Sequence, residues 1–187
     1  MIVGLACHCV LLNAQKMTLG SYEARPVNVY MSETSIMGKK ALRAVKDSTI
    51  KAFDEPTFIR LEGLDFHNGA IEVKVLSRLL PDAPDMARGF IGVAFRVNES
   101  NSTFESIYVR PLNARSDDQV RRNHSIQYYS YPDYKFDTLR KIAPEQYESY
   151  TDMEMNRWIT LRLEVKDAQA KLYIDKNPQP SLIVKDL

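Results

Sequence analysis

Over most of the second half of the chain, apolar and polar residues alternate with a period of two, the mark of strands with one covered face. In "WITLRLEVK" (158–166), Ile159, Leu161, Leu163 and Val165 fall on one side and Thr160, Arg162 and Glu164 on the other. "GAIEVKVLSRLL" (69–80) sets Ile71, Val73 and Val75 against Glu72 and Lys74. "FIRLEGLDF" (58–66) and "FESIYVRP" (104–111) alternate as well, the second as far as Pro111, which cannot donate to a ladder. "GFIGVAFRV" (89–97) is almost wholly apolar, which predicts a strand covered on both faces. "AKLYID" (170–175) and "SLIVKDL" (181–187), joined by the turn "KNPQP", add two more strands. Only 136–148, from "FDTLRKI" to "APEQY", predicts a short helix. Many short strands punctuated by turns predict an all-β chain, a two-sheet antiparallel β-sandwich of the jelly-roll kind. Residues 15–55 are less regular: "YEARPVNVYM" and "KKALRAVKDSTIKAF" supply two outer strands without clean alternation.

The first residues change the picture. "MIVGLACHCVLLNAQ" has an apolar run from Ile2 to Leu12 and a small residue, Ala14, before Gln15. This reads as a secretory signal over 1–14, with one domain over 15–187 in a secreted or periplasmic protein. The basic segment that usually opens such a signal is missing, and a buried N-terminal strand is the competing reading. Cys7 and Cys9 both fall inside this segment, so the mature chain would have no thiol: no disulfide, no cysteine nucleophile and no cysteine-bound zinc. A length of 187 residues suits a full hydrophobic core. With 44% apolar and 26% charged residues the composition is that of an ordinary globular protein. A net charge of +1 gives no long-range field for nucleic acid, so that partner class is set aside. No run of about 20 apolar residues predicts a membrane span.

The stretch with the most chemistry is "RPLNARSDDQVRRNHSIQYYSYPDY" (110–134). Arg110, Arg115, Arg121 and Arg122 lie close in sequence to Asp117 and Asp118, and guanidinium forks pair with carboxylates. One reading is that these charges lock a long loop to the sheet. The other is that they line a cleft. There Asn113, Gln119, Asn123, His124 and Gln127 offer the neutral donors and acceptors that read sugar hydroxyls. Tyr128, Tyr129, Tyr131 and Tyr134 follow. In a strand, Tyr129 and Tyr131 share one face and Tyr128 and Ser130 the other, and aromatic faces pack on sugar C–H faces. The ligand-binding set predicted here is Arg110, Asn113, Arg115, Asp117, Asp118, Gln119, Arg122, Asn123, His124, Gln127, Tyr129 and Tyr131. Trp158, at a strand start, reads as structural.

"GFIGVAFRV", "FESIYVRPLNARSDDQVRRNHSIQYYSYPDY" and "YESYTDMEMNRWITLRLEVKDAQAKLYID" together resemble a bacterial family of exported proteins. These are concanavalin A-like lectin/glucanase jelly rolls, related to laminin-G-like domains and to the 3-keto-disaccharide hydrolase family. The resemblance covers roughly residues 56 to 187 and implies a carbohydrate-binding module, with a glycoside-active hydrolase and a structural or assembly domain as alternatives. The chain departs from that pattern in two places. "MNRW" (155–158) lacks the usual glycine, and the sequence ends at Leu187, before the glycine-rich turn and last strand with which such domains complete a sheet.

Glucan-cleaving members carry E-x-D-x-E or E-x-D-x-x-E on one strand face, and retention needs the carboxyls about 5–5.5 Å apart. "ESYTDME" (148–154) would put Glu148, Asp152 and Glu154 on one face, without that spacing. The acid/base candidates are therefore Glu105 and His124, with Asp117 or Asp118. No cofactor and no transition-metal site is expected. Calcium on Asp117, Asp118 and Asn113 is the one metal alternative, opposed by the adjacent arginines.

Overall fold

The computed structural model describes residues 17–52 and 55–187. The proposed signal segment, 1–14, lies outside these residues. The chain forms two compact units, one within Met1–Leu64 and the other Asp65–Leu187.

In the first unit, β1 (Thr18–Leu19), β2 (Tyr22–Val27) and β5 (Phe58–Leu61) form an antiparallel sheet in the order β1-β2-β5. β3 (Val29–Ile36) and β4 (Lys39–Lys46) form a separate hairpin. Its two-residue loop is Met37–Gly38, with φ of 52° and 73°. Positive φ at both positions gives a turn whose twist matches the strands, and Gly38 takes the second at no steric cost. The "FIRLEGLDF" strand is shorter than its alternation predicts: β5 stops at Leu61, and Gly63 adopts φ 73° in the turn beyond.

The second unit is a sandwich of two four-stranded antiparallel sheets. One is built from β6 (Gly69–Val75), β11 (Ile159–Lys166), β12 (Gln169–Ile174) and β13 (Leu182–Val184), in the order β13-β12-β11-β6. The other is built from β7 (Ile91–Phe95), β8 (Phe104–Val109), β9 (Ile126–Tyr131) and β10 (Glu148–Ser149), in the order β10-β9-β8-β7. The all-β antiparallel architecture is thus the one the alternation dictates. Ile159, Leu161, Leu163 and Val165 of β11 are all buried and meet Phe95, Ile107, Val109, Ile126 and Tyr128 in one core.

Three short helices interrupt the strands: α1 (Pro111–Ala114), α2 (Gln119–Asn123) and α3 (Phe136–Ile142). Only α3 was expected. "GFIGVAFRV" also corrects an expectation: β7 is an edge strand and is not covered on both faces, since Gly92 is exposed and Phe90, just before it, is 55% exposed. Its outward positions are the small residues Gly92 and Ala94, so an apolar run here needs no second layer.

Candidate functional site

The block 110–134 is not one loop. Pro111 opens α1 at a position where a missing N–H costs nothing. Asp118 caps α2, its carboxylate accepting from the backbone N–H groups of Val120 (2.8 Å) and Arg121 (3.3 Å). Arg121 and Arg122 occupy the last turn of α2, where positive charge suits the helix dipole. The chain then enters β9, which lies inside its sheet between β8 and β10. As predicted for a strand, Tyr128 turns toward the core with Ile126, and Tyr129 and Tyr131 take the other face with Gln127.

The arginines do not pair with Asp117 and Asp118. The short helix turns the Asp118 side chain back onto its own backbone, and the partners come from elsewhere in the chain. Arg115 makes a two-bond fork with Asp152 (2.7 and 2.9 Å) and a third bond with Glu154 (2.6 Å). These hydrogen bonds and charges hold the Asp152 carboxyl below its usual range. Arg122 donates to the carbonyls of Ser116 (2.6 Å) and Asp117 (3.1 Å). Gln119 and Asn123 lie on the exposed surface of α2.

Arg110 is only 5% exposed. It donates to the His124 carbonyl (2.8 Å), the Tyr108 hydroxyl (2.6 Å), Glu148 Oε1 (3.4 Å) and Gln127 Oε1 (3.4 Å). Its guanidinium lies 4.9 Å from the Tyr108 ring centroid, with Phe90 and Phe136 at 5.9 and 5.8 Å. Glu148 is itself buried and is gripped from the other side by Arg140 of α3, through Nε at 2.8 Å and through Nη2. Bonding to that carboxylate raises the pKa of Arg140 further. Gln127 is fully buried, its amide donating to the carbonyls of Tyr128 (2.8 Å) and Tyr147 (3.3 Å). Asn113 is buried too and donates to the His124 carbonyl. The expectation that Arg110, Asn113 and Gln127 present groups to a ligand is therefore corrected: all three bond inward.

Two clefts bear on these residues. The larger, about 310 Å³, sits where β8 begins and β9 ends, and Arg96, Phe104, Glu105, Tyr131, Asp133 and Tyr134 contribute to its walls. The tight reversal Ser130–Tyr134 forms one side, closed by paired backbone bonds between Ser130 and Tyr134 (3.0 and 2.9 Å). Tyr131 stacks on the buried Phe104 at 5.0 Å and 14°, while Tyr134 is 52% exposed. Glu105 bonds Arg96 (3.1 Å) and accepts from the Tyr128 hydroxyl (3.2 Å). Burial, with the Glu105 charge added, pushes the Tyr128 phenol up, so it stays a donor.

The smaller cleft, about 240 Å³, is lined by Asn123, His124, Glu145, Glu148, Ser149 and Tyr150. Here His124 Nε2 lies 3.5 Å from Glu148 Oε2. Glu105 and His124, expected as an acid/base pair, are not together: β8 pairs with β9 so that Glu105 faces Ser130, six positions beyond His124. The partner of His124 is Glu148. Among the described residues no group of three or more His, Cys, Asp or Glu is arranged to hold a metal ion.

Sequence reasoning missed Arg96, Asp133 and Arg140, and it weighed Glu148 only as a same-face carboxylate with Asp152 and Glu154. Asp133 had a readable signal, because Pro-Asp after a strand marks a turn. The others had none, since their roles depend on which distant strand they meet. Compared with protein-family models, curated proteins and solved structures, the chain matches none.

Proposed function

We propose that the Asp65–Leu187 unit is a carbohydrate-recognition module and that the β8–β9 cleft is its site. The observation that carries this reading is the cleft itself. It combines the rings of Tyr131 and Tyr134 with the carboxylates of Glu105 and Asp133 and the hydroxyl groups of Thr103 and Ser130. Sugars present apolar C–H faces and a rim of hydroxyls, and this lining offers a partner for each. On this reading the 110–134 block does two jobs. Its first half is a clamp built on Arg110, and its end, 130–134, is a wall of the site. The resemblance to concanavalin A-like jelly rolls points to the same class of ligand.

A glycan-array screen tests it, with Tyr134→Ala and Asp133→Ala beside the unchanged chain. Binding to at least one glycan, weakened roughly tenfold or more by Tyr134→Ala, is the expected result. A folded protein that binds nothing on the array overturns the reading. A hydrolytic reading is favoured by one observation, the His124–Glu148 contact in the smaller cleft. Product released from a bound glycan by the unchanged chain, and lost in His124→Ala, would establish it. Bound glycan recovered intact would remove it.

A further inference from the structure

The walls of the larger cleft differ in what they have left to offer. Arg96 is the one cationic side chain in the lining, and each of its guanidinium nitrogens is already engaged. Nη1 reaches Glu105 (3.1 Å), Nε and Nη2 reach the His67 carbonyl (3.1 and 3.0 Å), and Nη2 also reaches the Asp167 carbonyl (2.5 Å). The guanidinium therefore ties loops together and neutralises Glu105. Asp133 remains as the second carboxylate, exposed on the rim and, among the described residues, without an ion-pair partner. The aromatic wall adds to this, because a ring face attracts cations. An ammonium of the chain itself already uses that wall: Lys135 Nζ lies 5.1 Å from the Tyr131 centroid.

Resting on the carbohydrate reading, we infer that the cleft selects a cationic sugar: an oligosaccharide of amino sugars with free primary amines. Each ammonium supplies three donors and a positive charge. It meets Asp133 on one side and the Tyr134 ring, which is open to solvent, on the other. A neutral sugar of the same shape would stack on the Tyr134 ring but leave Asp133 without an ion pair. The contact is half exposed, so its gain is modest and sensitive to salt.

The test is calorimetric titration of the full chain, at low ionic strength, with glucosamine hexasaccharide and with cellohexaose. The amino sugar is expected to bind about three- to tenfold tighter. The preference should collapse in Asp133→Asn and when the pH is raised until the amines lose their charge. Equal affinities would overturn the selection for charge and leave the carbohydrate reading intact. A preference that survives in Asp133→Asn would also overturn it, by locating the ammonium elsewhere. Binding of neither sugar defeats the inference as well, and the glycan array then decides the broader reading by itself.

Discussion

Glu148 and His124 illustrate how neighbours alone set a side chain's chemistry. Glu148 is nearly buried, and guanidinium groups from Arg110 and Arg140 hold its oxygens. Removing one member of such a set leaves charge in a place that water does not reach. His124, beside it, is faced by Glu148, Arg140, Arg110 and Glu145. Burial pushes its imidazole below the ordinary 6.5, Arg140 and Arg110 act in the same direction, and Glu148 and Glu145 oppose them. A base with a lowered folded pKa binds its proton less readily in the folded than in the unfolded chain. Its contribution to stability is then fully present above pH 6.5 and is lost as the pH falls below that value. The thermal midpoint should fall as the pH is lowered through this range, and His124→Gln should flatten that part of the curve. An unchanged slope in the variant would assign the effect to other groups. None of this was legible along the chain, because Arg110 and Glu148 are 38 residues apart and meet only across strands.

Among the elements, β7 shows how a strand can be readable while its limits are not. Its apolar run marked it correctly as a strand, but the role of Gly92 comes from β8. A Cβ at Gly92 would stand 2.3 Å from the Ile107 carbonyl oxygen and 2.5 Å from the Tyr108 Cα. Both are backbone atoms and cannot swing aside as a flexible side chain would. Gly92→Ala should therefore destabilise the protein by about 2 kcal/mol or more, read from the denaturant midpoint. The amides of β7 should lose exchange protection first. Retained stability would mean that the two strands separate there at little cost. The small helices α1 and α2 lie at the other extreme. At four and five residues they are too short for a periodic pattern, and only Pro111 and Asp118 announce their starts.

Across the Asp65–Leu187 unit, stability rests on one shared core rather than on either sheet. Leu163 is fully buried and packs within a cluster that includes Ile107, Ile126 and Leu172. Leu163→Ala should cost about 3 kcal/mol. Because the core is common to both sheets, β8 and β12 amides should lose exchange protection together. Protection lost in β12 alone would mean that the sheets unfold separately. Ile183→Ala, at a residue 44% exposed on the outer side of β13, should change little.

Periodicity is a local property, and it sufficed for what depends on local geometry: most strands of the Asp65–Leu187 unit, the inward faces of β6 and β11, and the sides taken by Tyr128 and Tyr129. Composition, and not periodicity, singled out the block 110–134, which holds Arg110 and one wall of the larger cleft. The tertiary structure decided the partners. The sheet order set Glu148 beside Gln127 and thereby within reach of Arg110, and the β8–β9 register sent Glu105 to Ser130 and away from His124. A charge pair forms wherever two side chains come within a few ångströms, and for these residues that separation is fixed by strand pairing across the sheet and not by their distance along the chain.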